Sequence, residues 1–132
     1  MALTSKMGAK LTKRLAVSVP SHSPLMRPAA EALAVALEGV SLAAPEIPIL
    51  HNVDVKMHPE PAAIKQALVH QLYSPVRWVD TIQALALAGV EQIIECGPGN
   101  ILTGLTKRID PSLKTQSFSN YTDCFRGVEN YV

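Results

Sequence analysis

His22 is the residue whose type and place in the sequence point most directly to chemistry. It follows RLAVSVP, residues 14–20, whose alternating apolar side chains predict a strand, and it precedes a segment with helical spacing. Ligands and catalytic groups of open α/β sheets collect where a strand ends and a helix begins. Two interpretations stay open at this point: His22 is a general base, or it only helps to cap the helix.

Gln71 is the second candidate. It lies on a segment with helical spacing that starts at Pro61, and its amide interrupts an apolar stripe made of Ile64, Ala67, Leu68 and Leu72. A buried amide needs hydrogen-bond partners, so Gln71 lies either at the edge of a site or at the border of the stripe. The pattern favours the border.

Two further features resemble binding sites only superficially. The segment Gly97-Pro98-Gly99 lies between a predicted strand and a predicted helix, where phosphate-binding loops occur. It matches neither of the phosphate-binding motifs Gly-x-Gly-x-x-Gly and Gly-Lys-Ser/Thr, so we predict a tight strand-to-helix turn. The spacing of the other histidines matches no zinc motif, and we expect no metal site and no resident cofactor. These histidines are His51, His58 and His70.

A base normally serves a nucleophile, yet the sequence offers none in a typical setting. No serine lies in a Gly-x-Ser-x-Gly elbow, and Cys96 and Cys124 are not in such a turn either. Ser21 and Ser23 flank His22, but immediate neighbours cannot easily present a hydroxyl to its ring. If His22 is a base, its nucleophile is expected outside this chain.

Composition excludes several classes of protein. The chain has 132 residues, of which 48% are hydrophobic and 17% charged, which is typical of one folded domain. A net charge of +1 without a long basic run predicts neither a nucleic-acid nor an anionic-membrane partner. No apolar stretch reaches 18 residues, and isolated cysteines without a signal peptide predict a cytoplasmic protein.

Strands and helices are predicted to alternate, which indicates an α/β fold with parallel strands. The predicted strands are residues 14–20, 45–56, 91–96 and 113–118, and the predicted helices begin at Pro24, Pro61, Pro75 and shortly after Gly99. Ser23 and Ser74 are the expected N-caps of the first and third helices. Four short strands make a thin sheet, so apolar faces such as Met26, Leu33 and Leu37 are expected to stay exposed.

Several collinear motifs together resemble bacterial malonyl-CoA:acyl carrier protein transacylases. The run VSVPSH at residues 17–22, followed by Met26 and Pro28-Ala29-Ala30, is similar to the segment around the active histidine of that family. The similarity continues through NVDV at 52–55, QLY at 71–73, PVRW at 75–78, ECGPG at 95–99 and LTGLTKR at 102–108. The resemblance covers roughly residues 7 to 118, which is nearly the whole chain.

The resemblance implies a fold and a division of the chain. In this family a ferredoxin-like subdomain is inserted in a larger, hydrolase-like subdomain with a parallel sheet. Residues 1–20 would be the remnant of the small subdomain and include its last strand, and residues 21–132 would be the C-terminal part of the large one. The serine elbow, the oxyanion segment and the malonyl-binding arginine of the family have no counterpart in this sequence.

The resemblance also implies roles for the two candidate residues. His22 matches the general base, and Gln71 matches the residue whose backbone carbonyl orients that histidine. Malonyl-CoA and the phosphopantetheine arm of acyl carrier protein would be substrates in a ping-pong transfer through an acyl-serine. The chain would be a truncated transacylase that is inactive by itself, and the missing N-terminal half would be a further partner.

Two other hypotheses remain beside the transferase. The chain could be a noncatalytic module that binds acyl carrier protein or a partner subunit. It could also be a hydrolase with another nucleophile, although no activated serine or cysteine supports this.

Overall fold

Five helices and four short strands form within residues 2–12 and 18–118, the part of the chain that the computed structural model describes. The helices are α1 (Ala2–Lys6), α2 (Arg27–Glu38), α3 (Pro61–Tyr73), α4 (Trp78–Leu87) and α5 (Ile101–Ile109), and one 3-10 turn (Pro24–Met26) precedes α2. The strands are β1 (Leu50–His51), β2 (Lys56–Met57), β3 (Gln92–Cys96) and β4 (Lys114–Phe118).

The last two strands form the parallel pair that the sequence predicts. β3 and β4 run parallel in the register Ile93 to Thr115, and α5 makes the crossover between them. Their bounds agree with the predicted segments 91–96 and 113–118 to within one residue. The expected tight turn after β3 is confirmed by positive φ angles of 153° at Gly97 and 95° at Gly99.

The predicted strand over residues 45–56 is wrong. Only β1 and β2 form, as an antiparallel pair two residues long on either side of a turn. Pro45 and Pro48 lack the N–H groups that a ladder requires, so regular pairing begins only at Leu50. The Val55 N–H closes the turn on the His51 carbonyl at 2.9 Å, and Val55 adopts a φ of 59°.

The third predicted helix begins three residues later than expected, at Trp78. Ser74 is extended and ends α3 rather than capping α4. The Arg77 N–H donates to the Asn52 carbonyl at 2.9 Å, which ties this segment to the β1–β2 turn before the helix starts. A tertiary hydrogen bond therefore overrides the local serine–proline signal.

The prediction at the first helix is partly wrong. The 3-10 turn begins at Pro24 as expected, but the Ser23 hydroxyl does not cap it. It donates instead to the Pro20 carbonyl at 2.7 Å. Most of the predicted strand 14–20 falls outside the described residues, and residues 18–20 have irregular backbone.

Helices α2 and α3 pack antiparallel. Ala30 and Ala67 are buried, and small side chains let helix backbones approach closely. The Lys65 ammonium group, near the start of α3, donates to the Leu37 carbonyl at 2.6 Å and also to that of Val40. These carbonyls lie at or just past the C-terminal end of α2, where a cation is favoured.

The described core is small for the size of the chain. Its buried apolar side chains are Ala30, Val53, Ala67, Ile82 and Leu113. The apolar face that the sequence predicts to be exposed is instead half-buried against α3; it consists of Met26, Leu33 and Leu37. Other large apolar side chains are exposed, with Val35 at 67% and Leu87 at 89%. Leu68, predicted to be buried, is 37% exposed.

Among the described residues, no helix combines the length and the apolar character needed to cross a bilayer.

The exposed apolar surface predicts self-association of the 132-residue chain. Side chains such as Val35, Val79 and Leu87 would be removed from water in an oligomer, which is favourable in proportion to the buried area. Sedimentation velocity over a range of concentrations should show a weight-average mass that rises above that of the monomer. A single monomeric species at all concentrations, with a sharp cooperative thermal transition, would contradict this.

Glu95 on β3 provides a second stability test, because its carboxylate accepts the Leu102 and Thr103 backbone N–H groups at 3.2 and 2.7 Å. The Thr103 hydrogen bond is the main reason that the pKa of Glu95 lies below its ordinary value. A lowered pKa stabilises the folded state above the ordinary pKa of glutamate, and this contribution is lost as pH falls through the lowered one. Glu95→Gln should therefore lower the melting temperature at pH 7 more than at pH 3.

The matched control is Glu91→Gln, which removes the same charge just before the start of β3. Thermal melts of both variants and the parent at the two pH values make the comparison. Equal losses of melting temperature at pH 7 for the two variants would show that the hydrogen bonds of the Glu95 carboxylate contribute nothing to stability.

Candidate functional site

His22 is held by two hydrogen bonds to the end of α3. Its backbone N–H donates to the Leu72 carbonyl at 3.0 Å, and its ring Nδ1 lies 2.9 Å from the Gln71 carbonyl oxygen. A carbonyl oxygen can only accept, so this contact requires the proton on Nδ1. The neutral ring then has its lone pair on Nε2, the nitrogen available to take a proton from another group.

The acceptors are available because α3 ends there. The last four carbonyls of a helix have no partner within the helix, and α3 ends at Tyr73, with Ser74 already extended. His22 satisfies two of these carbonyls. It does cap a helix, but at the C-terminal end of α3 rather than at the N-terminal end of α2.

The backbone of His22 is strained. Its φ angle is 60°, in the left-handed region that few residues other than glycine adopt, although histidine enters it more often than most. Such a conformation costs on the order of 1–3 kcal/mol and persists where surrounding contacts enforce it. The side chain is exposed, so this strain is not a by-product of packing a hydrophobic core.

Gln71 contributes its backbone, and its side chain is half-buried at the border of the apolar face. The contact that the resemblance implies, from His22 to the Gln71 carbonyl, is thus present in the structure. The catalytic roles of both residues remain predictions. Leu72 was not singled out by the sequence, since every residue type offers the same carbonyl and no side-chain pattern marks it.

Two of the other histidines, His51 and His58, belong to a separate cluster. His58 Nε2 lies 2.7 Å from an Asp54 carboxylate oxygen, and the His51 ring is 5.2 Å from that of His58. Partial burial raises the pKa of Asp54, but the hydrogen bond and charge of His58 outweigh it, so the pKa lies below its ordinary value. A cleft of about 460 Å³ lies beside this pair. Within residues 2–12 and 18–118, no three His, Cys, Asp or Glu side chains form a group that could hold a metal ion.

No described serine or cysteine side chain hydrogen-bonds to His22. The Ser23 hydroxyl donates to the Pro20 carbonyl, and Cys96 is an exposed free thiol at the end of β3. Ser41 does follow a Gly-x pair, but Ala43 replaces the second glycine of an elbow and the segment is irregular backbone after a helix. Among the described residues, the site therefore contains an imidazole ring of fixed orientation and no hydroxyl or thiol hydrogen-bonded to it.

The chain is similar in sequence to the C-terminal part of known acyltransferases. No family model matches the chain. A malonyl CoA-acyl carrier protein transacylase from Haemophilus influenzae is 50% identical over 131 residues, which are 99% of this chain and 42% of that protein. One from Bacillus subtilis is 42% identical over 118 residues, covering 89% of this chain and 37% of that protein.

Solved structures agree with the sequence comparison. The malonyl-CoA:acyl carrier protein transacylase from Xanthomonas oryzae pv. oryzae superposes with a TM-score of 0.90 at 49% identity, covering 98% of this chain and 41% of that one. A malonyl-transacylase in complex with its type II PKS acyl-carrier protein gives 0.89 at 48% identity, covering 96% and 41%. The chain spans about two fifths of the length of these relatives, and the matched part is their C-terminal portion.

The geometry of His22 predicts an unusual tautomer that nuclear magnetic resonance can detect. In protein labelled with ¹⁵N-histidine, neutral His22 should carry its proton on Nδ1. His58 is the internal control, because its Nε2 faces Asp54 and should carry the proton instead. A neutral His22 protonated on Nε2 would rule out the contact with the Gln71 carbonyl.

Proposed function

We propose that this chain, homologous to the C-terminal part of malonyl CoA-acyl carrier protein transacylases, supplies the histidine base for transfer of a malonyl group from CoA to acyl carrier protein. The observation that carries the proposal is the contact of His22 Nδ1 with the Gln71 carbonyl, which leaves Nε2 free to accept a proton. The similarity over 99% of the chain to the Haemophilus influenzae transacylase supports it.

The reaction divides into two acyl transfers. A serine hydroxyl from outside this chain attacks the thioester carbonyl of malonyl-CoA while His22 Nε2 takes the hydroxyl proton. The C–S bond breaks, the CoA sulfur leaves with that proton, and a malonyl-serine ester remains. The phosphopantetheine thiol then gives its proton to His22 and attacks the ester. The proton returns to the serine oxygen as the new thioester forms.

The Gln71 carbonyl takes the place that a carboxylate occupies in a Ser-His-Asp triad. Both acceptors hold the proton on Nδ1 and so fix the direction of the free nitrogen. A carbonyl has no negative charge, and its position is set by the backbone of α3 rather than by a rotatable side chain. The orientation of the base is therefore a property of where the helix ends.

The same proposal accounts for the exposed surface. Apolar side chains such as Val35, Val79 and Leu87 would be covered by the remaining three fifths of a complete transacylase. In this scheme residues 1–20 belong to a ferredoxin-like subdomain and residues 21–132 to a hydrolase-like one. The proposed enzyme needs no metal or resident cofactor, and it acts in the cytoplasm.

The 132-residue chain is expected to take up no malonyl group by itself, because no serine in it lies in a nucleophile elbow. Incubation with labelled malonyl-CoA followed by mass spectrometry of the intact protein provides the measurement. A stable malonyl adduct on any serine of this chain would disprove this part of the proposal.

Activity should appear when the chain is combined with the N-terminal three fifths of the Haemophilus influenzae relative. In that complex His22→Ala should lower the rate of malonyl transfer by roughly 10²- to 10⁴-fold, the usual contribution of a general base. His58→Gln is the matched control and should retain the rate, because His58 contacts Asp54 and not the end of α3. A complex that binds acyl carrier protein but transfers nothing would instead favour a noncatalytic binding module.

A further inference from the structure

The side chains of Arg27 and Tyr73 stack on each other. The guanidinium carbon of Arg27 lies 4.6 Å from the centre of the Tyr73 ring, within the range of a cation–π interaction. The His70 ring contacts the same tyrosine edge-on, with the ring centres 5.1 Å apart. Arg27 is the first residue of α2 and Tyr73 the last residue of α3, so the stack joins two helix ends.

These two helix ends also carry the His22 contacts. Tyr73 directly follows Gln71 and Leu72, whose carbonyls bond to His22, and Arg27 follows His22 after the 3-10 turn. The Arg27–Tyr73 stack therefore joins the two chain segments that carry His22 and the Gln71 carbonyl. A shift of the end of α3 away from the start of α2 would lengthen the distance from the His22 ring to the Gln71 carbonyl.

The contact between His22 and the last turn of α3 needs additional stabilisation for two physical reasons. The last turn of a helix is the part that frays most readily, and His22 holds a strained φ of 60° that its hydrogen bonds must maintain. The charge of Arg27 lies beside the C-terminal end of α3, where the helix dipole favours a cation. The planar guanidinium also stacks on an aromatic face in a way that the ammonium of lysine does not.

We propose that Arg27 and Tyr73 act as positioning residues for the His22 base, by holding the last turn of α3 at the distance that keeps Nδ1 bonded to the Gln71 carbonyl. The inference rests on the proposed catalytic role of His22. Neither residue touches substrate in this scheme. Their effect is to raise the fraction of molecules in which Nε2 points in the productive direction.

Nuclear magnetic resonance of protein selectively labelled with ¹⁵N-histidine tests the positioning role of the Arg27–Tyr73 stack directly. Arg27→Gln and Tyr73→Leu should each raise the exchange rate of the His22 backbone N–H by a factor of about two to five, the size expected for an exposed cation–π contact. Both should lower the fraction of His22 protonated on Nδ1. Tyr73→Phe keeps the ring and should match the parent, and Arg77→Gln controls for loss of an arginine that pairs with Asp80 instead.

The N–H of buried His51 serves as the internal standard for folding, because His51 lies in β1 and its ring contacts His58. A rise in exchange at His22 with little change at His51 supports the positioning role, and an equal rise at both sites overturns it, because it would mean a general loss of stability. The proposal is also overturned if the exchange rate of the His22 N–H and the fraction of His22 protonated on Nδ1 are unchanged in both Arg27→Gln and Tyr73→Leu. The proposed function fails separately, if the parent protein itself lacks the Nδ1-protonated ring.

Discussion

The unpaired carbonyls at the C-terminal end of α3 are the constraint on which the site depends. A helix must end somewhere, and its last carbonyls then require donors from elsewhere in the chain. Here His22 supplies two donors, its backbone N–H and its ring Nδ1–H, to Leu72 and Gln71. One structural requirement, the satisfaction of a helix end, thus fixes both the tautomer and the direction of the proposed base.

Much of the fold follows from local sequence signals. The β3–turn–α5–β4 segment was predicted closely because apolar periodicity, glycine positions and the parallel crossover all agree there. Helix α2 with the 3-10 turn before it, and helix α3, were also located, because a proline stands at the start of each of these two segments. One error arose where a tertiary contact decides, because the Arg77 N–H bonded to the Asn52 carbonyl shifts the start of α4. The other arose from a local feature that the alternating pattern concealed, since prolines limit the second predicted strand to a two-residue antiparallel pair.

The site was accessible to sequence reasoning only in part. His22 stands out by position, but position alone leaves both a base and a helix cap open and favours the cap. The structure shows that capping and orientation are the same contact, which no reading of side-chain types could reveal. Gln71 stands out as a polar residue on an apolar face, but the role of its carbonyl comes only from the family resemblance, because the atom concerned is a backbone oxygen that every residue has. Leu72 carries no signal at all for the same reason.

Helices α2 and α3 are fastened to each other at both ends, by Arg27 with Tyr73 at one and by Lys65 with the last carbonyls of α2 at the other. The connection between them, residues 39–60, is therefore not what sets their alignment. Doubling the length of a flexible connection costs only about 0.6 kcal/mol in loop-closure entropy. The exposed part of this connection, before Leu50, is accordingly the place where evolution or an engineer could insert a tag or a foreign segment while leaving the alignment of the histidine intact.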